Sequence, residues 1–444
     1  MPPSLTRADI FRTYWPLAAS WLMMGLELPA VSAVMARFAN PEIHLAAYGG
    51  IVFPIALIVE APIIMLLAAS TALSRDRVSY RKLRRFMVTT AAGLTMLHLL
   101  IATTPLFDFV VGTLLDAPME IRAAGRLGLL LMLPWTACIA YRRFHQGVLI
   151  RFGHSRRVGI GTMVRLGTNA SVLAIGAAIG QWPGIAIGTS AVACGVLAEA
   201  LFIGRAVRPV LRHELPDADP AARPLTRRSF VRFYTPLAMT SFLSLLALPL
   251  GSAAMGRLPL SLESLAIWPV LNGLTFTLRS LGLAYNEVVV SLLDREGAYR
   301  PLRDFALRLA TTASGILLLV AATPLSILWL RDVSGLRPEL AALAARALWI
   351  AVPFPAGSVL VAWLMGILVH EHRTMAISEA VGLHVLTVTT VLGLGIAWQG
   401  AEGILVTVSA TLVAFAVQLA WLGHRALPSI REIVARTAVP SRDA

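Results

Sequence analysis

Long apolar runs alternate along this chain with short polar stretches, and the runs have the length of membrane-spanning helices. Crossing a hydrocarbon core of roughly 30 Å at about 1.5 Å per residue takes about 20 mostly apolar residues. Twelve runs meet that need, at roughly 13–36, 44–73, 86–109, 123–150, 159–180, 184–206, 232–255, 264–293, 305–328, 340–369, 376–397 and 402–424. Unbroken runs of this kind do not match the short alternating strands of a membrane barrel, so an all-α integral membrane protein is predicted. The first run follows a polar stretch holding Arg7, Asp9 and Arg12. It is too long for a signal-peptide core and lacks a small-residue cleavage site, so it reads as a retained helix.

The pattern repeats. Tyr14, Pro16, Leu17 and Ala18 recur 220 positions later as Tyr234, Pro236, Leu237 and Ala238, as do Pro29 at Pro249, Met35 at Met255 and Arg37 at Arg257. After the loss of one residue the offset becomes 219, pairing Tyr80-Arg81 with Tyr299-Arg300, Thr104-Pro105-Leu106 with Thr323-Pro324-Leu325, Pro134 with Pro353 and Gly147 with Gly366. Chance matches between apolar sequences would drift in register, so the chain is read as a duplication. The expected organisation is an N-terminal six-helix half at 1–207, a cytoplasmic linker at 208–231 rich in proline, a C-terminal six-helix half at 232–425 and a cytoplasmic tail at 426–444. An even number of helices per repeat makes the repeats parallel, so twelve transmembrane helices should surround a central cavity as two six-helix repeats able to rock against each other.

Composition agrees. Of 444 residues 57% are hydrophobic and 14% charged, against about 25% charged in soluble domains. The net charge of +14 would suggest nucleic acid in a soluble protein, but here the arginines cluster between apolar runs. Arg75, Arg77, Arg81, Lys82, Arg84 and Arg85 follow helix 2, and Arg151, Arg156 and Arg157 follow helix 4. By the positive-inside rule both termini are expected to be cytoplasmic, in the inner (plasma) membrane, with the lipid bilayer as the surrounding partner and no nucleic acid. Cys138 and Cys194 lie in apolar runs and read as small core residues, with no disulfide framework or metal site. The sequence calls for no cofactor. A P-loop needs Gly-Lys before its Ser or Thr, and the only lysine, Lys82, follows Arg81, which excludes that kind of ATP-driven pump. Membrane enzymes gather dense polar clusters at one face, whereas single charges are scattered through both halves here; the chain is not read as an enzyme.

A six-plus-six parallel duplication resembles the multidrug/oligosaccharidyl-lipid/polysaccharide flippase superfamily, which includes the multidrug and toxic compound extrusion transporters. Tyr14-Trp15-Pro16-Leu17, Tyr234-Thr235-Pro236-Leu237, Ser74-Arg75-Asp76-Arg77 and the stretch from Arg279 to Leu293 resemble most closely the bacterial relatives of the progressive ankylosis protein. That resemblance implies alternating access and the release of anions such as citrate, nucleoside triphosphate or pyrophosphate. The extrusion branch implies exchange of cationic drugs for protons or sodium, often through an acidic residue of helix 1. Glu27 matches that role by helix and approximate depth, as Glu where Asp is usual.

A charge at the bilayer centre costs roughly 2.5–3.5 kcal/mol on insertion scales, so each one asks for a reason. The candidates for substrate or ion binding are Glu27 and Glu60; Arg279, Asn286 and Glu287 on one face of helix 8; Arg142 and Arg143 in helix 4; and Arg165, Glu199 and His384. Glu199 and Gln418 are repeat equivalents, as are Arg165 and His384. With the register gap placed before Glu60, its equivalent is Arg279, which suggests an ion pair or shared site; separate burial for packing is the alternative. Arg142 and Arg143 match apolar Val361 and Ala362 in the second half, suggesting either an anion-attracting wall or arginines that snorkel to the headgroups. His370-Glu371-His372-Arg373 reads as a solvated loop. Basic groups outnumber acidic ones in the spans. The expected function is therefore secondary active export of a small organic anion resembling citrate, a nucleotide or pyrophosphate. A proton- or sodium-coupled antiporter for organic cations and a flippase for a lipid-linked precursor are the alternatives. A small-molecule substrate, a coupling proton or sodium ion and a monomer are expected.

Overall fold

The computed structural model describes residues 5–217, 225–295 and 297–438; parts of the expected linker (218–224) and tail (439–444) lie outside the described residues. All the long elements are helices: α1 Arg7–Met35, α2 Pro41–Leu73, α3 Arg77–Thr103, α4 Met119–Leu131 with Leu133–Arg151, α5 Ser155–Ile179, α6 Gly184–Glu214, α7 Arg227–Arg257, α8 Ser261–Leu292, α9 Tyr299–Ala322, α10 Pro338–His370, α11 Met375–Trp398 and α12 Gly403–Ala438. Ten of these are long and apolar enough to cross a bilayer singly, and the bent pair of α4 makes an eleventh. The remaining one, α8, is 32 residues long, about 48 Å at 1.5 Å per residue, and carries Asn272, Arg279, Asn286 and Glu287. The chain is thus an all-helical, multi-pass membrane protein.

Helices begin and bend where the sequence gives a physical cause. Thr6 and Asp9 form a capping box before α1, and Thr226 and Ser229 form one before α7, again 220 residues apart. At the matched prolines the helices break: α4 turns by 41° around Met132, just before Pro134, and α10 is interrupted at Val352–Pro353. In α1 the break falls at Leu26. Pro29 has no N–H for the carbonyl of Gly25 four residues back, and the Thr277 hydroxyl lies 2.9 Å from that oxygen. Pro249 lies inside an unbroken α7, so matched prolines do not all break their helices.

Lipid tails are as apolar as leucine, so membrane helices associate through close packing, and small residues allow it. Here that packing carries the duplication. A Cβ at Gly147 would collide with the Leu67 carbonyl; one at Gly366 would stand 3.2 Å from the carbonyl of Asn286, the repeat equivalent of Leu67, and 2.7 Å from Val289 Cβ. Gly176 packs on Ile187, and its equivalent Gly395 packs on Val406, the equivalent of Ile187.

The chain forms two compact units, one of residues 30–269 and one of residues 1–29 with 270–444. The first holds α2–α7, the end of α1 and the start of α8; its core includes Tyr48, Ile51, Leu83, Phe107 and Phe144. The second holds the start of α1, most of α8 and α9–α12; Tyr285 and Phe305 stack in its core and Tyr14 meets both edge-on, among Ile10, Val288, Leu302 and Ile367. Packing units and sequence repeats thus do not share boundaries, because α7 packs with α2–α6 while the start of α1 packs with α8–α12. α6 runs through Pro209 to Glu214, and α12 runs on past 424 to Ala438, so chain expected as linker and tail is partly helical. Arg77 holds Asp217 at 2.9 Å and Lys82 donates to the Leu225 carbonyl at 2.8 Å, fastening the linker ends beside α3. Cys138 is half-buried and Cys194 exposed, so Cys194 does not take the core position expected for it.

Candidate functional site

Within the unit of residues 30–269, α2, α4, α5 and α6 bring five of the sequence candidates together. Trp135, Arg142 and Gln146 fall seven and four residues apart in α4, which places them on one face. Glu199, with no exposed surface, is the hub. Its Oε1 accepts from Arg142 Nη1 at 3.1 Å and from Gln146 Nε2 at 2.9 Å, while Arg165 Nε stands 3.7 Å from Oε2. Asn169 is buried one turn along α5 from Arg165 and packs against Gly195, where a Cβ would strike its amide. Glu60 Oε2 accepts from Trp135 Nε1 at 2.6 Å, and the opposite charges acting on it are those of Arg143, Arg142 and Arg165. Half-buried Arg143 has no hydrogen-bond partner at Nε. Three guanidinium groups against two carboxylates leave one positive charge in excess.

Arg142 therefore turns into the unit and pairs with Glu199, contrary to the snorkelling alternative. Of the two arginines expected to form an anion-attracting wall, Arg142 is taken up by Glu199, while Arg143 stays half-buried beside it. His145, one turn from Arg142, is buried between Tyr80 and Tyr141: its ring meets the Tyr80 hydroxyl at 3.3 Å and the Tyr141 carbonyl at 2.8 Å.

The other unit repeats this arrangement without its carboxylates. His384 and Gln418 interact through their side chains, at the positions equivalent to the Arg165–Glu199 pair. Phe354 stands where the first repeat has Trp135 and packs against Phe415, with ring centroids 5.6 Å apart and planes tilted by 51°. The Arg279 guanidinium lies over the Phe415 ring, 4.9 Å from its centroid, and the His384 ring meets the same phenyl edge-on at 5.4 Å. Arg279 forms no ion pair with a carboxylate among the described residues of its unit, and its Nε has no hydrogen-bond partner. A cation–π contact is worth roughly 0.5–2 kcal/mol, less than burial of the charge costs.

The remaining candidates are dispersed. Glu60 and Arg279 belong to different units, and each has its own neighbours there. Asn286 Nδ2 donates to the Ala362 carbonyl at 3.0 Å, tying α8 to α10, whereas Glu287 is exposed, so the face expected for Arg279, Asn286 and Glu287 is split. One residue turns a helix by about 100°, enough to carry Glu287 off the packed side. Glu27 opens the second segment of α1, half-buried at the break. His370 bonds Asp294 at 2.7 Å and Glu371 at 3.2 Å. Trp135, Asn169, Phe354 and Phe415 were not among the sequence candidates. Phe354 had a signal in the sequence, since it stands at the offset of Trp135, and Phe415 lies three residues before Gln418 on one helix face.

Compared with solved structures, the chain superimposes on an inward-facing multidrug-resistance MATE family transporter of the MOP superfamily with a TM-score of 0.62, at 15% identity over 93% of this chain and 96% of that one. The lipid II flippase MurJ in an inward closed conformation gives 0.67, at 13% identity over 95% and 90%. The Vibrio cholerae MATE transporter VcmN in its bent form gives 0.60, at 16% identity over 96% and 97%. The chain has their fold. These neighbours are transporters and a flippase, none an enzyme. No protein-family model and no curated protein matches the sequence.

Proposed function

We propose that the chain is a secondary transporter that moves a small organic anion, of the citrate, nucleotide or pyrophosphate kind, by alternating access, with both termini in the cytoplasm. The observation that carries the reading is Arg279. It is a permanently charged side chain in the 32-residue α8, it meets an aromatic face, and it forms no ion pair with a carboxylate among the described residues of its unit. Such a group is stabilised when a carboxylate or phosphate arrives, and a guanidinium fork suits both. The excess positive charge beside Arg143 adds a second attraction for the same class. Fold likeness to transporters supports the class of activity, and the ankylosis-like motifs support the anion. Movement is driven by solute or ion gradients, with Glu60 and Glu27 as the carboxylates available for a coupling proton or sodium ion.

One observation favours a second reading: the flippase superimposes with a higher TM-score than the two transporters, 0.67 against 0.62 and 0.60. The test compares uptake of labelled citrate and ATP with that of a cationic dye in proteoliposomes, across imposed proton and sodium gradients. Anion uptake that falls at least tenfold in Arg279→Gln supports the proposal. Dye uptake that depends on Glu27 refutes it in favour of a drug antiporter, and silence from all three solutes refutes it in favour of a lipid-linked substrate.

A further inference from the structure

Where α11 begins and α12 nears its end, a cavity of about 480 Å³ is lined by Arg373, Arg425, Arg431, His424, Met375 and Leu427, among others. Its depth follows from helix length. α11 has 24 residues, about 36 Å at 1.5 Å each, enough to cross the core once. α12 returns after a four-residue connection, so 24 residues from Gly403 brings it to about Ala426. The cavity therefore lies at a membrane–water boundary, with His424 and Arg425 at headgroup depth and Arg431 more than a turn beyond. Met375 and Leu427, 74% and 45% exposed, give it an apolar flank facing the acyl chains.

Its charge suits a phosphate. Arg373 reaches Glu432 at 3.4 Å and Arg425 reaches Glu379 at 3.1 Å, both through exposed side chains, and such pairs are worth only about 0–1 kcal/mol. Arg431 forms no ion pair among the described residues, so the lining keeps a net positive charge. The Thr374 side chain leaves the first turn of α11 uncapped, and Met375 and Ala376, whose N–H groups open that helix, also line the cavity.

The first repeat shows what makes room. The equivalent of Ala376 is Arg157, whose Nη1 donates to the Ala206 carbonyl at 2.8 Å, and beside it His154 is bonded to Glu214 at 2.8 Å. A long side chain thus spans the groove between α5 and α6, whereas alanine leaves the one between α11 and α12 open.

We propose that this cavity binds the phosphate-bearing headgroup of an anionic membrane phospholipid, the glycerol–phosphate lying among Arg373, Arg425 and Arg431 and the acyl chains beside Met375 and Leu427. The full-length protein, reconstituted in nanodiscs of phosphatidylcholine with or without phosphatidylglycerol, is released into mild detergent, and its retained lipid is counted by native mass spectrometry. Wild type should keep phosphatidylglycerol in preference to phosphatidylcholine. Arg431→Gln and Arg373→Gln/Arg431→Gln should lower that preference about tenfold. Ala376→Arg should lower it as much, although it adds a positive charge, because it fills the space. Retention that rises in Ala376→Arg, or stays unchanged in the double variant, overturns the proposal in favour of diffuse surface attraction. If inorganic phosphate at millimolar concentration protects the folded protein from heat as well as the lipid does, the site takes a free anion and the lipid assignment fails. The glutamine variants decide the matter should Ala376→Arg not fold.

Discussion

Glu199→Gln isolates the network in the unit of residues 30–269. The carboxylate is fully buried, accepts from Arg142 and Gln146 at 3.1 and 2.9 Å, and stands 3.7 Å from Arg165. Replacing it by an amide of equal size keeps the packing and removes the negative charge that both arginines meet. Losing one partner of a buried pair costs about 3–5 kcal/mol, chiefly because the other charge is left uncompensated. The amide can keep its oxygen toward Arg142 and Gln146, which sets its nitrogen, a donor, against the Arg165 Nε–H at the place of Oε2. The assay is unfolding in mixed micelles with increasing dodecyl sulfate, followed by tryptophan fluorescence, for Glu199→Gln, Arg142→Gln and the double variant. The double variant should be markedly less destabilised than the two single costs added together, because removing both charges leaves less to compensate. A single variant within about 0.5 kcal/mol of wild type, or strictly additive costs, would mean that Glu199 and Arg142 are not coupled as a buried pair.

Trp135→Phe should cost about 1–3 kcal/mol in the same assay by leaving buried Glu60 without its indole donor at 2.6 Å, whereas Phe354→Leu, at the equivalent position, leaves no polar group stranded. Gly147→Ala should destabilise by about 1–3 kcal/mol, since the new methyl strikes the Leu67 backbone, and Gly159→Ala, with open space around it, should change little. At the α11–α12 connection, the backbone N–H of Glu402 and then Arg346 at 2.9 Å hold the Glu402 carboxyl below the usual carboxylate range. A depressed carboxyl stabilises the fold above its unfolded pKa of about 4.3 and loses that contribution as pH falls through the folded value, so Arg346→Gln should flatten the acid side of a stability–pH profile.

Much of the fold was legible because a bilayer imposes a length on every span and duplication imposes a register. The offset of 219 paired Pro134 with Pro353 and Gly147 with Gly366, and in the structure the prolines stand at matched breaks and the glycines at matched close approaches. Charged residues were legible as candidates because each is costly in lipid, and Arg165 with Glu199 and His384 with Gln418 meet at equivalent places. Partners were less so. The choice of Trp135 for Glu60, or of Phe415 for Arg279, depends on helix rotation, which apolar periodicity leaves loose when every face of a helix is apolar. Glu287 shows the same limit, since one residue of rotation separates a packed side from an exposed one. The helical extension of α12 was hidden because hydropathy marks where a helix leaves the membrane and not where it ends.

Anion transport through Arg279 is decided by counterflow of labelled citrate and ATP into proteoliposomes preloaded with the same unlabelled anion, for wild type, Arg279→Lys and Arg279→Gln in parallel. Counterflow is expected in wild type, with partial retention in the lysine variant and a loss of at least tenfold with glutamine in protein that elutes as a single folded species. Undiminished anion counterflow in Arg279→Gln, or none in wild type, would contradict transport through Arg279.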